Sequence, residues 1–431
     1  MIVAFAVQFI VLPYIVPRWH ADDGLMVAGD WLEYHREAVE LHDKILSDGW
    51  GEWKFQYSGH RLSGIMGALY VIAVPKPWVF IPIAAALHAT AGLMVFMIMF
   101  RFVKSPRTAI VATLPFVLFP TALSWIAQPL KDGFSIAGFL LILYGWFIVV
   151  DLTRSRSSSV QKLLLGIVVF SAGLILVWIS REYLLVLFQV MSAVIATITG
   201  VCVVRLIAAR KINMSSSVLT ALALGAILLL PGILPDSPRK ERWSTESLAQ
   251  VSEVMAEKTS WEKEVWIPSS IDGLLMSFAR QRASFIRVNE DAGSSIDSHI
   301  SFHRANDILK YIPRAAQIGL LAPFPNHWFL SAELGSRTVM RWVSSLEMLC
   351  AYIMIPFGLV GVWKWKRFPE MWILLFLCGT PLVIHPMFVP NVGTLMRLRY
   401  PYFMTLVCLG LAAFLTVAPE LGRRIRRLMV R

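Results

Sequence analysis

Hydrophobic residues along this chain form long runs that alternate with short polar segments. A helix needs about 17 to 25 apolar residues to cross a bilayer, and runs of this length recur from one end of the chain to the other. The pattern predicts an all-α polytopic membrane protein with about ten transmembrane helices. The predicted spans are residues 1–17, 78–100, 108–126, 132–151, 161–179, 183–206, 216–236, 341–364, 369–388 and 399–417.

Two apolar segments need separate treatment. Residues 62–74 are too few to cross, and Pro75 and Pro77 follow at once, so an interfacial or re-entrant helix is expected there. The first segment has no basic stretch before it and no cleavage site of the A-x-A kind. We therefore expect it to be a retained span rather than a signal peptide.

The basic residues between the runs predict the orientation. If the N-terminus is cytoplasmic, every short basic cluster falls on the cytoplasmic side, as the positive-inside rule requires. Both termini are then cytoplasmic. Counting residues 62–74 as a span would move the cluster at 101–107 outside, which favours the ten-span topology. The clusters lie at 101–107, 154–162, 205–211, 364–367 and 423–431.

This topology predicts three regions. Residues 1–236 form an N-terminal transmembrane module with a first external loop at 18–61, residues 237–340 an external region, and residues 341–431 the C-terminal spans with a basic tail. Surface helices are expected in the external region, at 244–258 and 307–318.

Composition agrees with a membrane protein. The chain is 57% hydrophobic and 16% charged, whereas soluble domains carry about 25% charged residues. Its net charge of +12 lies in loops beside apolar runs, which indicates contact with anionic lipid rather than with nucleic acid. The four cysteines lie in apolar stretches without metal-binding spacing, so neither a disulfide framework nor a sulfur-based metal site is expected.

The first external loop carries the strongest candidate chemistry. Asp30, Glu33, Tyr34 and His35 follow the first span, and carboxylates beside a bilayer are costly to keep without a function. A carboxylate can accept a proton from an attacking hydroxyl, a contribution of about 100- to 10,000-fold in rate. An exposed amphipathic helix explains the same acidic residues without any function.

Polar groups at the other external helix ends are expected to converge with this loop on one outward-facing cavity. Arginines there can bind a departing phosphate through bidentate hydrogen bonds, and fixed cations stabilise its developing charge. The groups are Lys131, Asp132, Arg181, Asn391, Arg397 and Arg399.

Structural explanations stand beside these candidates. Asp132 suits the N-terminus of a helix, where a carboxylate complements the dipole. Arg181 and Glu182 could pair to close a tight turn. Arg397 and Arg399 could extend to the membrane surface as anchors. Two arginines on the outer side run against the positive-inside trend, however, and this favours a ligand-binding role.

A metal site is not required by the sequence. His299 and His303, four residues apart, would share a helix face, but the H-E-x-x-H pattern of metalloproteases is absent, and surface histidines are expected. His35 and His42 are interpreted in the same way. A divalent cation held by Asp30 with other carboxylates is left open, since hard cations prefer oxygen ligands.

The pattern D-x-x-x-Y-H-x-x-A, formed by Asp30, Tyr34, His35 and Ala38 after a first span, resembles the first external loop of the GT-C superfamily of membrane glycosyltransferases. The resemblance is closest to bacterial family-39-like and Rgt-like members, and it implies a GT-C-like helix bundle with external juxtamembrane helices. It implies that Asp30 is the catalytic base or the organiser of the site. Shorter similarities lie at 60–64, 119–120, 131–132, 181, 322–325 and 390–400.

The resemblance implies transfer of a sugar from a polyprenyl-phosphate donor to a glycan, lipid or protein acceptor outside the bacterial inner membrane, in cell-surface polysaccharide or glycoconjugate assembly. Arg181, Arg397 and Arg399 would hold the donor phosphate. Two alternatives stay open. One is an O-antigen-type polymerase or ligase that uses polyprenyl-diphosphate glycans. The other is a flippase or transporter of lipid-linked sugars, for which charges near mid-helix would be expected.

Overall fold

The computed structural model describes residues 1–27, 29–154, 160–209, 214–229, 261–288, 294–329 and 335–429. The described residues are helical apart from loops and isolated bridges, and they contain no strand. The chain divides into two compact units. Unit 1 comprises Met1–Asp236, Pro356–Leu374 and Val407–Arg431, and unit 2 comprises Ser237–Ile355 and Leu375–Leu406.

The helices of the first half of the chain belong to unit 1. A short α-helix, α1 (Ile2–Ala6), continues as the π-helical segment Val7–Ile15, which contains Pro13. The helices that follow are α2 (Asp30–Asp48), α3 (Arg61–Ile72), α4 (Ile81–Val103), α5 (Pro106–Leu118), α6 (Pro120–Ile126), α7 (Asp132–Arg154), α8 (Val160–Ser180), α9 (Glu182–Ala208) and α10 (Met214–Leu229).

The second half contributes α11 (Ser269–Val288) and α12 (Ala305–Leu321) to unit 2. The last three helices each supply residues to both units. They are α13 (Gly335–Trp365), α14 (Pro369–Phe388) and α15 (Val392–Met429). A helix is found at the expected position 307–318, within α12, while its place at the membrane surface stays a prediction. The one expected at 244–258 lies outside the described residues.

Seven of the described helices are long and apolar enough to cross a membrane, so the chain is a polytopic membrane protein. All seven correspond to predicted spans, although the total of ten stays a prediction. The helix over Ile2–Ile15 is shorter than a span, and the predicted span 216–236 extends beyond the described residues. The seven are Pro77–Val103, Asp132–Thr153, Val160–Ser180, Glu182–Arg205, Thr338–Trp365, Pro369–Phe388 and Val392–Pro419.

The predicted span 108–126 is not one straight helix. It is two helices, α5 and α6, bent by 61° at Phe119. Phe119 has an extended backbone (ψ 131°) because the ring of Pro120 disfavours the helical conformation in the residue before it. As one broken span, the pair would raise the number of candidate crossings to eight.

Unit 1 is built around α7. This helix is apolar on all sides, which suits a central position, and it packs against α8 and α4. Gly138 allows a close approach of the two backbones, since a Cβ atom added there would lie 2.7 Å from the carbonyl oxygen of Gly173 on α8. At the far end of α7, Arg101 of α4 pairs with Asp151 and, at 2.8 Å, with the fully buried carboxylate of Glu370.

Unit 2 is held together by buried arginines. Arg282 of α11 is 1% exposed, and its guanidinium donates to backbone carbonyls of two separate segments. The accepting oxygens belong to Asp297 (2.7 Å), Ile300 (3.0 Å), Pro386 (3.0 Å) and Met387 (3.2 Å). Five fixed N–H donors allow one arginine to satisfy several carbonyls at once, so Arg282 ties the segment at 297–300 to the end of α14.

Candidate functional site

The acidic loop forms the N-terminal half of α2. Asp30 and Glu33 lie in its first turn, where negative charge complements the helix dipole. Asp30, Glu33 and Glu37 follow a spacing that places them along one side of the helix. Asp30 and Glu33 are exposed, whereas Glu37 is only 5% exposed. One row of carboxylates therefore runs from solvent into the protein.

The buried carboxylate of Glu37 has two partners at the start of α3. Its Oε2 accepts a hydrogen bond from Ser63 Oγ at 2.7 Å and lies 2.9 Å from His60 Nδ1. The two contacts fix the carboxylate and orient the imidazole ring of His60. The Nε2 atom of His60 makes no hydrogen bond to any residue that the structure describes.

Tyr34 joins this pair to the beginning of α7. Its buried ring meets the ring of His60 edge-on at 5.0 Å. The ammonium group of Lys131 lies 5.7 Å from the centre of the same ring, within the range of a cation–π contact. Tyr34 and Lys131, two residues predicted for the site, are thus brought together.

Arg181 and Asp132 are two further predicted site residues that the structure brings together. Asp132, the first residue of α7 as expected, is 3% exposed and accepts a hydrogen bond from Nη2 of Arg181. Nη1 of Arg181 donates to the hydroxyl of Tyr183 at 3.2 Å. The buried Nε atom has no hydrogen-bond partner among the described residues. A buried N–H left without an acceptor costs about 1–3 kcal/mol, so this atom is suited to an incoming anion.

Glu182 follows Arg181 but pairs with another helix. Its carboxylate lies 3.0 Å from Nη2 of Arg61, the first residue of α3. Arg61 is 8% exposed, stacks on the ring of Trp178 at 4.1 Å and donates to the carbonyl oxygen of Trp178. The junction of α8 and α9 is therefore attached to α3 by Glu182 and to α7 by Arg181.

His35 belongs to a neighbouring group on α2 and α3. Its Nδ1 lies 2.8 Å from the hydroxyl of Tyr70, and its Nε2 lies 3.8 Å from Asp23, which also pairs with Lys76 at 2.6 Å. Burial lowers the pKa of His35, an effect that the carboxylate of Asp23 partly offsets. Its imidazole ring is half-buried and is held in place by these contacts.

The other three predicted residues lie in unit 2. The side-chain oxygen of Asn391 accepts a hydrogen bond from the backbone N–H of Thr394 at 3.1 Å, so Asn391 caps the start of α15. Arg397 is half-buried. Arg399 is 1% exposed, with its guanidinium donating to backbone carbonyls of α12. The convergence of these residues with those of unit 1 stays a prediction.

Sequence reasoning gave no specific role to Glu37, His60, Arg61 and Ser63. The sequence did contain a pattern from which the burial of Glu37 could have been predicted. Tyr34, Ala38, Leu41 and Ile45 form the buried face of α2, and Glu37 has the helical spacing of that face. No local pattern could pair it with His60, because the two are 23 positions apart and meet only through the packing of α3 on α2.

The structure contains a set of residues that could hold a metal ion, and this set differs from the one that the sequence suggested around Asp30. Ligand atoms of Glu33, Glu37 and His60 lie within 4.8 Å of one another, and Asp30 is not part of this group. His299 is exposed and stands with His303 in a segment without helical structure, so the helix face that their spacing suggested does not form.

In comparisons with protein-family models, with curated proteins and with solved structures, nothing matched this chain.

Proposed function

We propose that the chain is a membrane glycosyltransferase with a GT-C-like fold. It would transfer a sugar from a polyprenyl-phosphate donor to a hydroxyl of a glycan, lipid or protein on the external face of the bacterial inner membrane. Both termini would be cytoplasmic. The product would belong to a cell-surface polysaccharide or another glycoconjugate.

The observation that carries the proposal is the state of Arg181. Its guanidinium lies at the end of α8, neutralised by Asp132 yet with a buried Nε–H that no described residue accepts. A phosphate oxygen is a strong acceptor for such a donor, and charge-assisted hydrogen bonds are about twice as strong as neutral ones. Lys131, adjacent in sequence to Asp132, supplies a second cation.

The proton transfer of the reaction is assigned to Asp30 on α2. The exposed carboxylate of Asp30 takes the proton of the acceptor hydroxyl while the hydroxyl oxygen bonds to C1 of the sugar. The C1–O bond to the phosphate breaks, and its electron pair leaves with the polyprenyl phosphate. The negative charge on the departing phosphate develops at Arg181, where a preorganised cation lowers the barrier.

The test uses the purified full-length protein in proteoliposomes. The donors are polyprenyl-phosphate hexoses and pentoses labelled in the sugar, and the acceptor is a glycolipid and glycoprotein extract. Asp30→Asn should lower transfer about 100-fold or more, as expected for loss of a base. Asp43→Asn, a change of an exposed carboxylate on the same helix, should leave transfer unchanged.

Arg181 is tested with a conservative variant, because alanine would leave the buried Asp132 unpaired. Arg181→Lys keeps the charge but loses the Nε donor, and it should raise KM for the donor about tenfold, a loss of about one strong hydrogen bond. Arg36→Lys, at an exposed position of α2, is the control.

Absence of transfer by the wild type with every donor, or full activity of Asp30→Asn, would contradict the proposal. The spent lipid separates the polymerase alternative from this one. A monosaccharide donor leaves polyprenyl phosphate, and a polymerase or ligase leaves the diphosphate.

A further inference from the structure

Two carboxylate oxygens and one imidazole nitrogen meet where α2 passes the start of α3. They belong to Glu33, Glu37 and His60, and all three lie within 4.8 Å of one another. We propose that this set binds one divalent transition-metal ion of the Zn²⁺ or Mn²⁺ class. The proposal does not depend on the transfer reaction and goes beyond it.

The distances fit an ion with little rearrangement. Two ligand atoms that are each about 2.1 Å from an ion lie about 3.0 Å apart at the right angles of an octahedral ion and about 3.4 Å apart around a tetrahedral one. His60 Nδ1 and Glu37 Oε2 are 2.9 Å apart. Opposite ligands of an octahedral ion would be about 4.2 Å apart, slightly less than the 4.8 Å within which the set lies. The exposed side chain of Glu33 can rotate to close that difference.

The ligands are also held as metal ligands usually are. The carboxylate of Glu37 is fixed by the hydroxyl of Ser63 at 2.7 Å, and the ring of His60 is held edge-on against Tyr34 at 5.0 Å. Partners of this kind orient ligands and tune their affinity. A buried carboxylate, an imidazole and this support distinguish the set from the exposed acidic clusters found on many surfaces.

The ligand types indicate the class of ion. Glu33 and Glu37 lie one turn apart on α2, where two like charges repel each other unless a cation lies between them. Imidazole nitrogen suits transition metals, whereas Mg²⁺ and Ca²⁺ prefer oxygen. Three protein ligands with Glu33 at the exposed edge leave positions for water or for a bound substrate, the arrangement of a catalytic rather than a structural site.

The experiment measures metal binding directly on the full chain. The protein, purified without a histidine tag, is treated with a chelator, reconstituted in nanodiscs and titrated with Zn²⁺ and with Mn²⁺ by calorimetry. We expect one ion per chain. Glu33→Ala changes an exposed residue and should not affect folding, yet it should weaken binding at least about tenfold. His60→Gln should do the same, and thermal unfolding checks that this variant is folded.

Two further variants serve as controls. Ser63→Ala removes only the support of Glu37 and should cost about 10–100-fold in affinity. His42→Ala should have no effect, although Nδ1 of His42 also lies near a carboxylate, 2.8 Å from Asp43 on an exposed part of the same helix. Electron paramagnetic resonance of bound Mn²⁺ should show coupling to one nitrogen, which His60→Gln removes.

Three results would overturn the proposal. They are no stoichiometric binding of either ion, binding that Glu33→Ala and His60→Gln leave unchanged, and binding that Asp30→Asn abolishes while Glu33→Ala does not. None of these results bears on whether the protein transfers sugar, and a lack of transfer activity would leave the binding measurement valid.

Discussion

The hydrogen-bond partners of the Arg399 guanidinium indicate a structural role for this residue. It is 1% exposed. Nη1 donates to the carbonyl oxygens of Ile318 at 3.1 Å and Gly319 at 2.8 Å, and Nη2 donates to the carbonyl oxygen of Ala322. The last carbonyls of a helix lack partners within the helix. Arg399 therefore caps α12 from α15, with its donors directed at protein oxygens rather than at a phosphate.

We expect Arg399→Met to lower the free energy of unfolding by about 2–4 kcal/mol. A hydrogen bond to a charged group contributes about 1.5–3 kcal/mol, so three contribute at most about 5–9 kcal/mol. The cost of burying a cation without an opposite charge, several kcal/mol, disappears in the variant and offsets about half of that loss.

Thermal unfolding in nanodiscs, followed by tryptophan fluorescence, measures the effect. Trp328 is a reporter close to the change, since its indole donates to the carbonyl oxygen of Pro323 at 2.7 Å, one residue beyond Ala322. Arg397→Met, a change of a half-buried arginine two positions away, should cost less than about 1 kcal/mol. The capping role would be refuted if Arg399→Met were as stable as the wild type, or if Arg399→Met and Arg397→Met lost the same amount of stability.

Two other predictions concern packing and pH. Gly138→Ala should destabilise the protein by about 1–3 kcal/mol, because its Cβ would lie 2.7 Å from the carbonyl oxygen of Gly173; Gly133→Ala on the same helix, whose Cβ would have ordinary contacts, is the control in the same unfolding assay. The hydrogen bond from Arg314 lowers the pKa of Asp297 below its usual 3.8. The stability that this hydrogen bond adds is fully present above the pKa of Asp297 in the unfolded chain. It is lost as the pH falls through the pKa of Asp297 in the folded protein. Asp297→Asn should flatten the pH dependence of unfolding below about pH 5, by at most about 1 kcal/mol since Arg314 is partly exposed; an unchanged pH dependence would contradict it.

The membrane spans were predictable because their signal is local. A run of apolar residues long enough to cross a bilayer is visible in the sequence, and α7, α8 and α9 lie within a few residues of the predicted bounds. The bend at Phe119 was visible too, as a proline inside an apolar run, but hydropathy averages over such a residue.

The candidate site was only partly predictable, because burial and pairing depend on distant segments. The predicted topology singled out Arg399 as a cation on the outer side, but its hydrogen-bond partners lie about 80 positions earlier in α12 and could not be read from the sequence around it. The acidic run on α2 likewise contained Glu37, but only the packing of α3 makes it a buried carboxylate beside His60. Residue type indicates which chemistry is available, and the tertiary fold decides which groups remain accessible for it.

Arg181 and Glu182 show that the tertiary fold, and not the local sequence, decides which charged groups pair. Adjacent opposite charges suggested a pair that closes a turn. At the junction of α8 and α9 the backbone of Arg181 is non-helical (φ −149°, ψ 78°), and the two side chains have different partners. Arg181 pairs with Asp132 on α7, and Glu182 pairs with Arg61 on α3.

Each pairing brings its own element to the junction. Asp132 opens α7, and Arg61 directly follows His60 at the start of α3. This two-residue junction thus fixes the guanidinium of Arg181 and the start of α3 relative to each other. Neutralising Glu182 should therefore disturb His60 as well as Arg61, because Glu182 pairs with Arg61 and His60 is the residue directly before it.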